Sequence, residues 1–130
     1  MHSALVHISF VVPGKPQPKQ RARKGVSWSG KVIWYTPKET VIFEKSVAWQ
    51  AMFALAQHED WPKDAKYKIS VFAFFPDSRR RDFDNVIKSV LDGMNKLAYH
   101  DDSQVVDHGE SGKRVDALYP RTEVRLEVIA

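Results

Sequence analysis

The chain has 130 residues, 43% of them apolar and 28% charged, which suits one folded domain with a real core and argues against a disordered tail. It has no cysteine, which excludes disulfides, thiolate nucleophiles and Cys-type zinc sites, and its longest apolar run, Ala51 to Ala56, falls far short of the roughly 20 residues of a membrane-spanning helix. Net charge is +4, but the first 38 residues carry Lys15, Lys19, Arg21, Arg23, Lys24, Lys31 and Lys38 with no acid, so they stand at +7 and the other 92 residues at −3.

Leu5 to Val12 opens the chain order with Val6, Ile8, Phe10 and Val12 alternating, the period of a strand. The segment lacks a basic leader and a small-residue cleavage site, so it reads as structure rather than signal, and the expected compartment is the cytoplasm. Pro13-Gly14-Lys15-Pro16-Gln17-Pro18 stops the strand, because proline removes a donor and restricts its neighbour. A basic loop over about 13–31 is therefore predicted. It is a surface for phosphates or, on the plainer reading, a solvated loop. Within it, Trp28-Ser29-Gly30-Lys31 resembles a turn joining two short extended segments.

Thr36-Pro37-Lys38-Glu39 reads as a helix start, with Thr36 as N-cap and Pro37 at the first helical position. Val41, Ile42, Val47, Ala48, Met52 and Leu55 then recur at helical spacing and predict a core-packing helix. Tyr67, Ile69, Val71, Ala73 and Phe75 alternate along a second strand whose end is apolar on both faces, as in a sheet centre. From Phe83 to Ala98 the helical period returns, with Val86, Ile87, Val90, Leu91, Met94, Leu97 and Ala98 on one side and Asp84, Lys88, Asp92 and Asn95 on the other. A last strand covers Glu123 to Ile129. These elements imply an α/β (α+β) fold, a small mixed β-sheet packed against two main helices in a single domain.

The chemistry concentrates in Arg79-Arg80-Arg81-Asp82-Phe83-Asp84-Asn85 and in Asp101-Asp102. Taken alone, Asp82 is an N-cap and Asp84 a complement to the helix dipole. Five acids, Asp82, Asp84, Asp92, Asp101 and Asp102, lie within 21 residues, and gathered carboxylates repel unless a cation joins them. A hard divalent ion suits oxygen ligands, and Mg²⁺ suits phosphate chemistry; no His pair stands at zinc-ligand spacing. Phosphodiester hydrolysis needs an activated water and a stabilised leaving oxygen, and Lys88, one turn past Asp84, is positioned for the phosphoryl oxygens.

The string from Arg81 to Asn85, with Lys88, Asp92 and Asp101-Asp102, resembles the pattern of the RusA family of Holliday junction resolvases. Pro16 to Arg23 is similar to that family's basic N-terminal loop, Tyr35-Thr36-Pro37 to its helix entry, and Gln104-Val105-Val106 and Lys113 also fit. The resemblance implies Asp82, Asp84 and Asp102 as ligands of Mg²⁺, with Mn²⁺ as a substitute, Asp101 as a further contributor and Lys88 as the catalytic lysine. It implies junction-phosphate contacts by Lys19, Arg21 and Arg23; Lys15 and Lys24 of the same basic segment, and Arg79, Arg80 and Arg81 just before the acids, are expected DNA contacts by their charge and position. It also implies a homodimer that makes paired symmetric nicks in four-way or other branched DNA, during recombination and repair, in a bacterial or phage-encoded protein acting at the nucleoid. The readings left standing beside it are a non-catalytic nucleic-acid-binding protein and a metal-dependent nuclease acting on other nucleic acids. Gly93 inside the second helix departs from what a helix prefers, by roughly 1 kcal/mol relative to alanine.

Overall fold

The computed structural model describes residues 6–130. In chain order they form β1 (His7–Pro13), β2 (Arg23–Val26), β3 (Val32–Tyr35), α1 (Lys38–Leu55), β4 (Tyr67–Phe75), α2 (Phe83–Met94), a 3₁₀ turn (Asp102–Gln104), β5 (Val105–Asp107), β6 (Gly112–Val115) and β7 (Arg121–Val128). Leu5, which opens the first expected strand, lies outside the described residues, and Val6 is exposed rather than buried.

A mixed sheet runs β1-β7-β4-β5, with β6 also on β4. β7 is antiparallel to both β1 and β4, whereas β5 and β6 lie parallel along the other edge of β4. The two long helices pack on each other and on one sheet face, so the expected α+β fold is present. The alternation is obeyed closely. Ile8, Phe10 and Val12 of β1, Tyr67, Ile69, Val71, Ala73 and Phe75 of β4, and Val124 and Leu126 of β7 all point into the core. The second apolar face of β4 is covered by cations: the Arg114 and Arg121 guanidinium groups lie 5.1 and 3.8 Å from the ring centres of Phe72 and Phe74.

β5 joins the start of β4, where Tyr67 faces Val105, and β6 joins its end, where Phe72 to Phe75 face Gly112 to Val115. The loop between them leaves one donor of β4 without a strand partner. Ser111 supplies it: the Val71 N–H donates to Ser111 Oγ at 2.9 Å.

Three expectations about the helices are corrected. Thr36 does not cap α1, whose N-cap is Pro37 with no side-chain bond, and the helix starts one residue later. The apolar face of α1 is also rotated, since the buried stripe is Thr40, Phe43, Val47 and Ala51. Ile42, Met52, Trp49 and Phe53 stay exposed on the opposite side, with Trp49 and Phe53 stacked at 6.2 Å. The helix is apolar nearly all round, so periodicity could not choose its inner face.

α2 ends at Met94 instead of Ala98. Lys96 takes a positive φ of 69°, and the turn sends Ala98 and Tyr99 into the core, where Trp61 Nε1 donates to the Ala98 carbonyl at 2.7 Å and the Tyr99 hydroxyl to that of Leu91 at 2.6 Å. Gly93 has a packing reason. A Cβ there would stand 2.7 Å from Val47 Cβ and 2.9 Å from the Glu44 carbonyl, so the two helices approach at a point where only hydrogen fits.

Candidate active site

The connection from β4 to α2 is a clipped loop. Arg81 donates to the Asp77 carboxylate at 2.5 Å and to the Asp77 and Arg79 carbonyls, while its guanidinium lies 4.9 Å from the Phe75 ring centre. The Arg81 hydrogen bond, with that of the Arg79 N–H, holds the Asp77 carboxyl down to about 2. Arg81 is therefore committed to the protein's own loop, whereas Arg79 and Arg80 project into solvent.

That loop delivers Asp82 to the N-cap of α2, where its carboxylate accepts from the Asn85 N–H at 3.2 Å and from Asn85 Nδ2 at 2.8 Å. Asp84, one residue inside the helix, is exposed, and so is Lys88 one turn later. Among the described residues no ion pair joins them, so the carboxylate and the ammonium both remain available to a ligand. A cleft of about 440 Å³ opens at this end of the sheet, lined by Arg80, Arg81, Asp82, Phe83, Asp84 and Lys113. Lys113 arrives from β6, with Nζ 3.5 Å from the Arg81 carbonyl, and was not among the site residues expected from sequence. Lys113 fits the family pattern in the sequence, but only the parallel pairing of β6 with β4 places it in this cleft.

The second acidic pair lies elsewhere. Asp101 caps the 3₁₀ turn, accepting from the Ser103 N–H at 2.9 Å while Gln104 Oε1 takes the His100 and Asp101 N–H groups. The bond from Ser103 holds the Asp101 carboxyl below the usual carboxylate range. Asp102 is half-buried and keeps its carboxylate uncommitted. The turn leads straight into β5, which joins the Tyr67 end of β4, whereas Asp82 follows the Phe75 end. Among the described residues no three His, Asp or Glu side chains gather to hold a metal within one chain. The gathering of Asp101-Asp102 with Asp82 and Asp84 around one ion, expected from sequence, is not found among the described residues.

Asp92 and Lys19 have a different task. Lys19 Nζ pairs with Glu44 at 2.8 Å and Asp92 at 3.1 Å, its N–H donates to the Asn85 carbonyl at 2.7 Å, and the Gln20 N–H reaches Thr40 Oγ1 at 3.4 Å. Burial alone would lower the Lys19 pKa, but the bonds and charges of the two carboxylates raise it above the ordinary lysine value. Lys19 thus bolts the basic loop to both helices beside their crossing. Lys15, Arg21, Arg23 and Lys24 are exposed, Arg23 also touching Gln20 Oε1 at 3.1 Å.

A family model described as "Endodeoxyribonuclease RusA" matches residues 13–127. The chain is 28% identical over 144 aligned positions to the "Uncharacterized protein YqaN" of Bacillus subtilis (strain 168), covering 95% of this chain and 97% of that one. It is also 40% identical over 43 positions to the "Crossover junction endodeoxyribonuclease rusA" of Enterobacteria phage HK97, covering 33% and 36% of the two chains.

Proposed function

We propose that this chain, which belongs to the RusA family of endodeoxyribonucleases, resolves four-way DNA junctions by paired symmetric nicks in recombination and repair, as a homodimer that uses Mg²⁺, or Mn²⁺ in its place. The observation that carries the reading is the partition of the acids. The carboxylates of Asp84, in the first turn of α2, and Asp102, in the turn before β5, have no hydrogen-bond or ion-pair partner among the described residues, and no third acid or histidine gathers with them to hold a metal. In a C2 dimer, Asp82 and Asp84 of one protomer would be completed by Asp102 of a second copy, and the two equal sites so formed suit two symmetric cuts. The exposed stripe Ile42, Trp49, Met52 and Phe53 on α1 is apolar surface that a second copy would cover.

The donor set fits a hard cation, because every candidate ligand is a carboxylate oxygen and Asp84 and Asp102 have no competing partner among the described residues. Such an ion, when bound, supplies an activated water and charge for the leaving oxygen. The chain's own groups do the rest. Lys88 and Lys113 face the phosphoryl oxygens, Arg79, Arg80, Lys15, Arg21, Arg23 and Lys24 hold flanking phosphates, and Asp101 keeps the turn that presents Asp102. Lys19 and Arg81 move from the DNA-contact set to the scaffold, since their charges are already engaged.

Mixing two inactive variants tests the shared site. Asp84→Asn and Asp102→Asn each abolish junction cleavage alone, and co-refolding them restores it, because each heterodimer rebuilds one intact site, about a quarter of the total in an equal mixture. A mixture that stays silent although both variants bind junction DNA sinks the shared site. The rival reading, a non-catalytic binder whose acids are caps, gains weight from the capping bonds of Asp82 and Asp101; it requires that neither substitution change any cleavage measured with wild-type protein.

A further inference from the structure

The β2–β3 hairpin is a sheet of its own, with Arg23 facing Tyr35, Lys24 facing Trp34, Gly25 facing Ile33 and Val26 facing Val32. Every residue of β3 is exposed, Trp34 at 69%, and Trp28 in the connecting turn is 99% exposed. A two-stranded ribbon is marginal in water by itself. This one nonetheless displays Val26, Trp28, Val32, Ile33, Trp34 and Tyr35 to solvent, an arrangement that lacks a stabilising reason in the isolated chain.

Charge identifies what covers it. Directly opposed residues share a face, so one face carries Lys24, Trp34, Val26 and Val32, and the other Arg23, Tyr35, Gly25 and Ile33. Each face has a cation at the root and apolar surface toward the tip, Lys31 adds a third cation beside the turn, and the first 38 residues contain no acid. A partner with anionic edges and flat apolar interior surfaces matches both halves of this pattern, and nucleic acid is such a partner: phosphates outside, base faces within. A two-stranded ribbon also has the width that a DNA groove admits. The root is fixed, because Lys19 and Gln20 are held to α2 and α1 three or four residues before β2 begins, and the nine steps from Lys19 to Trp28 reach at most about 30 Å.

We infer that the β2–β3 hairpin is a DNA-probing arm whose Trp28 stacks on a base left unstacked at the branch point, while Arg23, Lys24 and Lys31 hold the adjacent phosphates. The inference rests on the reading that the protein acts on branched DNA. It adds a source of structure selectivity, since intact duplex offers the tryptophan no open base face.

The test compares wild type, Trp28→Ala and Trp28→Phe for binding to a synthetic four-way junction and to linear duplex without divalent cation, across a salt series. Trp28→Ala is expected to weaken junction binding about tenfold, to leave duplex binding within about twofold and to leave the salt slope unchanged, while Trp28→Phe keeps most of the affinity. Lys24→Ala is expected to reduce the salt slope by about one phosphate equivalent. With 2-aminopurine at the crossover, wild type changes the fluorescence and Trp28→Ala does not, whereas the probe placed mid-arm responds to neither. Equal losses on junction and duplex, no loss on either, or a change in self-association of Trp28→Ala by sedimentation would overturn the inference. Failure of wild type itself to prefer the junction would overturn the underlying reading instead, so the two failures are distinguishable.

Discussion

The two acidic pairs at the ends of β4 are built on one plan and set in opposite surroundings. In each pair the first aspartate caps a helical turn, Asp82 for α2 and Asp101 for the 3₁₀ turn, and the second, Asp84 or Asp102, keeps its carboxylate uncommitted. The first pair opens on a cleft with Arg80 and Lys113. The second lies beside the buried phenol of Tyr99, whose pKa is driven up by burial and then by the charges of Asp102, Asp92 and Asp101. The contrast teaches that a D-x-D or D-D string mixes two jobs, and that hydrogen bonds tell them apart: the capping residue shapes the turn, and its neighbour is left to bind.

Substitutions that respect this division should separate activity from stability. The largest effect is expected from Asp84→Asn and Asp102→Asn, which should lower junction cleavage by more than the roughly 10–100-fold that supporting partners of a metal site cost, with junction affinity kept or improved and melting temperature unchanged. Equal loss of binding and cleavage would erase the distinction. Next come Asp82→Ala and Asp101→Ala, each expected to destabilise the fold by about 1 kcal/mol through loss of the cap, measured by urea unfolding. If Asp84→Ala were as destabilising as Asp82→Ala, the division of labour would fail.

A smaller effect is expected at the bolt between loop and helices. Glu44→Gln should reduce stability by about 0.5–1 kcal/mol and should not tighten junction binding, although it removes a negative charge, because Lys19 stays engaged by Asp92. Lys19→Met should leave the salt slope of binding unchanged; a slope lower by one phosphate equivalent would return Lys19 to the DNA-contact set. The smallest effect concerns pH. The Asp77 carboxyl is depressed to about 2 from an ordinary value near 3.8, so the stability it contributes is fully present above pH 4 and is lost as pH falls through about 2. Asp77→Asn should flatten that part of an acid-unfolding curve, and an unchanged curve would show that the Arg81 clip contributes nothing.

How much of this was legible beforehand differs between elements for physical reasons. β1, β4 and β7 could be read because one face of each is buried and the period of two survives in the sequence. The inner face of α1 could not, because Ile42, Met52, Trp49 and Phe53 are as apolar as the residues it buries. The acids were visible as a local string, yet the place of Asp101-Asp102 depends on β5 attaching to the Tyr67 end of β4, a long-range pairing without a local signature. Lys19 was visible only as a positive charge. Its partners lie 25 and 73 positions away, so the string could not reveal that the charge is already spent. The turn residues of Trp28 to Lys31 predict a turn between two short extended segments, and the structure has these as β2 and β3 within and beyond the basic loop.

Asn85 carries an unusual number of duties for one side chain and its peptide unit. Its N–H and Nδ2 serve Asp82, and its carbonyl receives both the Lys19 N–H and the Ser89 hydroxyl. Aspartate, its nearest isostere, would lose a donor and set a like charge against Asp82; serine would fall short of the same oxygen. Position 85 therefore has few workable replacements, and a sequence drifting there would loosen the helix cap while the backbone tether to Lys19 stayed in place.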